Sequence, residues 1–187
     1  ALMMPLGACA WMDGSMNTNT QAVAATVAPT PPLTAEQKDE AVTKLNEMTT
    51  MLIDSDQLYS KAAALAKDTS FKTELTKLSA ERGDQAENFQ AHVRNIGGTP
   101  VTTGGAGGPW QESLMKVASV VQTDTQAAVG GVLNAENGLV DKLNSDLADP
   151  KLADSTKEFL RGARDNIAAD RDRVAALKAQ VDGQAKQ

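Results

Sequence analysis

Cysteine and histidine each occur once, as Cys9 and His92, and aromatic residues make up only 3% of the chain. A lone cysteine excludes an internal disulfide and a paired-cysteine metal knuckle. A lone histidine argues against a histidine-rich metal site or a Ser-His-Asp triad. No stretch approaches the roughly 18 consecutive apolar residues that a membrane-spanning helix requires. Basic residues are outnumbered, 18 Lys and Arg against 24 Asp and Glu, and no basic patch with interleaved aromatics occurs. The net charge of −6 therefore argues against nucleic acid as a partner. With so few aromatics, the core must be built from Leu, Val, Ile, Met and Ala, which favours packed helices over sheets. What is present, 187 residues with 41% apolar and 22% charged content, describes a globular domain with an accessory segment.

The accessory segment is residues 1–34, rich in Met, Ala, Thr, Asn and Pro without a helical period. Within it, Leu6-Gly7-Ala8-Cys9 reads as a bacterial lipobox, in which small residues precede a cysteine that is cleaved and acylated. The competing reading is a cloning scar, with Gly14-Ser15-Met16 as a junction before a native start at Met16. On the first reading, Cys9 is a lipidation site and tethers the protein to a bacterial envelope membrane. Residues 22–33, with Pro29, Pro31 and Pro32, then form a semi-extended spacer. On the second, the location is cytoplasmic.

From Thr34 onward the pattern becomes helical. Thr34 and Gln37 have the spacing of a capping box, and Val42, Leu45, Thr49, Leu52, Asp56, Tyr59, Ala63 and Ala66 recur by threes and fours. This predicts a first helix to about residue 67. A short turn leads to a second helix over residues 70–96, whose ladder is Phe71, Leu75, Leu78, Arg82, Gln85, Phe89, Val93 and Ile96. Gly97-Gly98 and then Pro100 mark its stop. Residues 97–109 are too glycine-rich for regular structure and serve as a long connection. A short helix follows over residues 110–121, then a long one capped by Thr123 or Asp124 and ending near Ala148. Gly130, Gly131 and Gly138 inside it point to a bend or a close backbone approach. The last helix covers residues 152–181, with Leu160, Ile167, Asp170, Val174 and Leu177 inward.

Four long helices, two short turns and one long central connection predict an all-α fold, a ferritin-like up-down-down-up four-helix bundle with a short crossover helix. The domain is expected over residues 35–183, with 184–187 as a tail. The helix LNEMTTMLIDSDQLYSKAAALAKD with Tyr59, the helix and stop LSAERGDQAENFQAHVRNIGGTP, the isolated Trp110 and the ending DRDRVAAL occur in that order. In these features residues 38–180 resemble a small proteobacterial family of ferritin-like four-helix bundles known only as a domain of unknown function. The resemblance implies a fold and a kinship to ferritin-like proteins, and no activity.

Ferritin-like di-iron proteins direct a Glu from each of two helices and a Glu-x-x-His from each of the other two to the bundle axis. Here the corresponding places read Arg82-Gly83-Asp84-Gln85 and Asp170-Arg171-Asp172-Arg173. Both histidines are missing, and a cation stands in for a ligand. His92 lies two turns beyond Gln85, at a solvated or boundary position. Asp56, Arg82, Gln85, Glu136 and Asp170 remain on axis-facing stripes, and unpaired charges there are costly, so they are expected to find one another. The expected arrangement has the Arg82 fork holding Asp56 and Glu136, with Asp170 a turn or more away. Tyr59 either bonds a core carboxylate or keeps its hydroxyl at the surface. The charged residues around Arg161, Arg164, Arg171 and Arg173 read as a solvated face. These features point to no enzyme, no cofactor and no metal, but to a structural or interaction module with a protein partner or a second copy. The alternative is a di-metal carboxylate protein of iron or peroxide handling with atypical ligands.

Overall fold

A computed structural model describes residues 32–105, 109–121 and 123–184. Five helices account for its regular structure: α1 (Ala35–Leu65), α2 (Thr69–Asn95), α3 (Pro109–Val120), α4 (Thr125–Leu147) and α5 (Asp154–Gln184). The described residues contain no strand, and none of their helices is long and apolar enough to cross a membrane. The Cys9 motif and the remainder of residues 1–31 lie outside the described residues.

The helix ends follow from local chemistry. Thr34 caps α1 with a full capping box, its hydroxyl accepting from the Gln37 amide while the Gln37 side chain accepts from the Thr34 amide. Asp68 caps α2 and Asp124 caps α4, each carboxylate accepting the amide three residues on. At the end of α2, Gly97 adopts φ 77°, its amide bonds the Arg94 carbonyl at 2.9 Å, and the Gly98 amide bonds the Val93 carbonyl at 2.8 Å. This pair of bonds is the Schellman stop, which needs a residue free to adopt positive φ. The expected boundaries hold to within a few residues, and α5 continues past Val181 to Gln184.

The connection after α2 is tied to the flank of α1. The Asn46 side chain donates to the Thr99 carbonyl and accepts from the Val101 amide, both at 3.0 Å, and Asp54 accepts from the Gly105 amide at 3.2 Å. The chain therefore climbs α1 from its first half toward its middle before α3 begins. α3 then packs on α4, where a Cβ on Gly131 would meet Val117 Cγ2 at 2.7 Å. Of the glycines in α4, Gly131 thus marks a close approach between helices.

Two apolar clusters fill the interior. One joins the first half of α1 (Leu45, Met48, Leu52), the second half of α2 (Phe89, Val93), the second half of α4 (Leu139, Leu143) and the first half of α5 (Leu160, Ile167). The other joins the opposite halves, including Tyr59, Phe71, Leu75, Leu78, Val129, Val132 and Val174, with Val117 and Val121 from the α3 region. The buried charged residues Arg82, Glu136 and Asp170 sit at the level where the two clusters meet.

Candidate functional site: an ion-paired centre

Arg82 is the largest fully buried side chain among the described residues, with no exposed surface. It comes from the middle of α2, where its neighbours on the ladder, Leu78, Ala86 and Phe89, are buried apolar residues. A guanidinium cannot be deprotonated at any accessible pH, so this cation must be compensated within the protein. Two helices supply the compensation. Arg82 Nη2 donates to Glu136 Oε2 of α4, and Nη1 donates to Asp170 Oδ2 of α5 at 2.7 Å. Nη1 also donates to Gln85 Oε1 at 2.9 Å, one turn along α2. From α1, the Tyr59 hydroxyl donates to Glu136 Oε1 at 2.8 Å. All four long helices thus meet at one point through side-chain hydrogen bonds.

The electrostatics are consistent with this arrangement. Both Glu136 oxygens accept bonds, the pattern of an ionised carboxylate. Burial first, with the charge of Asp170 adding to it, holds the Glu136 carboxyl above its ordinary value, although the Arg82 charge and the Arg82 and Tyr59 bonds pull it down. Burial also opposes the Arg82 charge, yet Glu136 and its other neighbours leave the guanidinium held above its ordinary value. The Tyr59 phenol is held well above its usual range, by burial first and by Glu136 second, so it stays a donor. Arg82 Nε and Thr156 Oγ1 are buried without a hydrogen-bond partner among the described residues.

Of the expected set, Arg82, Gln85, Glu136, Asp170 and Tyr59 come together, and Asp56 does not. Asp56 accepts from Ser79 Oγ at 2.6 Å on the seam between α1 and α2, and its carboxylate lies beside Gly83. Ser55 and Tyr59, four apart, take the inward positions, and Asp56 is turned one residue toward α2. Its expected place in the fork belongs to Asp170, which is therefore level with Arg82 instead of a turn away.

Arg173 is a second correction. It is not a solvated residue: it donates to Asp170 Oδ1 at 2.5 Å, Glu81 at 2.5 Å and Glu74 at 3.1 Å, fastening α5 to α2. Asp170 is thus bracketed by two guanidiniums. The signal was the Asp170-x-x-Arg173 spacing, which puts both side chains on one helix face. Sequence reasoning also missed Asp146, a buried carboxylate of α4 bonded to Lys142 at 2.6 Å, with Lys142 reaching Glu47 of α1 at 2.9 Å. His92 is half-buried and stacks on Phe159 with ring centroids 4.2 Å apart, away from the centre.

A family model described as a domain of unknown function (DUF2383) matches residues 40–149, more than half of the chain. The chain belongs to this family. The DUF2383 match takes in Tyr59, Arg82 and Glu136, and Asp170 lies beyond it on α5. No curated protein and no solved structure matches the chain.

The donor chemistry of this DUF2383 centre does not suit a metal. A guanidinium donates only, so Arg82 cannot ligate, and its charge already occupies the two carboxylates that a dication would use. Among the described residues, no three His, Cys, Asp or Glu side chains are grouped so as to hold an ion.

Proposed function

We propose that the protein is a non-enzymatic module, structural or protein-binding, built on a ferritin-like frame in which an ion-paired arginine stands where metal-handling relatives of that frame carry their ions. The observation that carries this reading is Arg82, fully buried and shared between Glu136 and Asp170 from two other helices. The joined half-helices support the frame: α1 and α5 run one way, α2 and α4 the other, and the long connection lies between α2 and α4. That is the up-down-down-up order, in which inward Glu and Glu-x-x-His positions would be the metal ligands. Glu136 keeps one such carboxylate, and Arg82 converts its demand for a cation into a bond between helices. The lipobox reading of Cys9 adds to this proposal a tether to a bacterial envelope membrane.

Metal analysis of the purified full-length protein, before and after incubation with ferrous iron in air, tests the reading. The expected result is no stoichiometric iron in either sample. About two irons per chain would overturn it and restore a di-metal protein of iron or peroxide handling.

A further inference from the structure

Three cavities lie along the seam between α2 and α5, and they differ in how their polar walls are satisfied. Two are walled largely by the ion pairs of Arg173, Glu74, Glu81 and Asp170, and one of them also takes in the exposed Asp84 and shares Gln85 and Asn166 with the third. The third, of about 490 Å³, opens between the second half of α2 and the first half of α5. Its size falls within the range of roughly 300–1,000 Å³ that holds small molecules.

The floor of this cavity is aromatic. Phe159 packs edge-on against Phe89 at 4.8 Å and face to face with His92 at 4.2 Å, the two rings of the latter pair inclined by 13°. The walls are amides: Asn88 and Asn95 from α2, Asn166 from α5, and Gln85, which also bonds Arg82. Glu158 is the one carboxylate, and no Lys or Arg lines the cavity. The groove is open: Asn88, Asn95, Asn166 and Glu158 are exposed to solvent and have no hydrogen-bond or ion-pair partner among the described residues. Gly162 lies on the α5 wall, and a Cβ there would meet nothing within 4 Å. Packing therefore does not require this glycine, a poor helix former within α5, and its effect is to keep the cavity wide.

We propose that this cavity is a binding site for an uncharged carbohydrate of one or two rings. Without a cation in the wall, a phosphate or carboxylate ligand has no counter-charge, and burial lowers the proton affinity of His92, so it supplies none. A purely apolar ligand would take three amides, Asn88, Asn95 and Asn166, out of water and leave them unpaired. Sugar hydroxyls both donate and accept, so they satisfy amides in either orientation and donate to Glu158. The C–H face of a sugar ring has the rings of Phe159 and His92 to lie on.

The test is an amide-resolved NMR titration of the full chain with cellobiose and with N,N′-diacetylchitobiose, with adenosine as a control. One disaccharide should shift signals confined to residues 85–95 and 158–166. Gly162→Leu, whose Cβ meets nothing within 4 Å, should weaken that binding by about tenfold or more and leave the melting temperature unchanged or higher. The surface pair Asn88→Ala and Asn166→Ala should weaken it as well, which keeps the test open if the leucine variant folds poorly. No shift from either disaccharide, a shift that these substitutions leave unaltered, or a response to adenosine alone would overturn the proposal.

Discussion

A buried guanidinium is tolerable only when its partners are in place, and Arg82 has three: Glu136, Asp170 and Gln85. Asp170 is further steadied by Arg173, and Glu136 by the Tyr59 hydroxyl. The same scale of argument gives a pH dependence, because the chain has one histidine. Burial lowers the His92 pKa from the ordinary 6.5, so below that value the unfolded chain binds the proton more readily than the folded one. The stability contributed by this group is complete above about pH 6.5 and is lost as the pH falls through the folded pKa. The urea midpoint is expected to fall between about pH 7.5 and 5.5, and to fall less in His92→Gln. An equal fall in both proteins would contradict it. Residue identity was legible in the sequence wherever a polar side chain broke an apolar ladder, as at Arg82 and Glu136. Which carboxylate fills the fork was not, because one residue of rotation, about 100° on a helix, separates Ser55 from Asp56. Arg173 was hidden because its partners Glu74 and Glu81 lie on another helix, at a sequence separation no local pattern reports.

At the scale of elements, helix ends were the most legible feature, because each is written in a few adjacent residues. Thr34 with Gln37, and Gly97 with Gly98, carry their own hydrogen-bond partners and need no tertiary contact to be read. The path of the 99–105 connection depends instead on Asn46, a polar residue on the flank of α1 that looks like any solvated asparagine. Close contact between α3 and α4 was signalled by the glycines, but only the packing selects Gly131. Gly131→Ala should destabilise the protein by about 1–3 kcal/mol by driving a methyl group into Val117. Adding Val117→Ala should recover part of that loss, since the two sites share one contact. Chemical denaturation of the three variants measures both. A fully additive loss in the double variant would show that Gly131 is needed for some other reason.

At the scale of the whole bundle, the centre is, among the described residues, the one point at which α1, α2, α4 and α5 are all joined by side-chain hydrogen bonds, and it lies between two apolar clusters. Apolar packing alone would tolerate small slips of one helix along another. An ion pair that must be satisfied admits one register, so the centre specifies how the halves of the bundle align. The measurement that tests this most directly is the unfolding free energy of Arg82→Leu, compared with a variant that also carries Glu136→Leu and Asp170→Leu. The single substitution is expected to cost about 3–5 kcal/mol by stranding buried carboxylates, and the combined one to regain much of that loss. A single variant as stable as the parent would contradict the ion-paired centre as the element that fixes the fold.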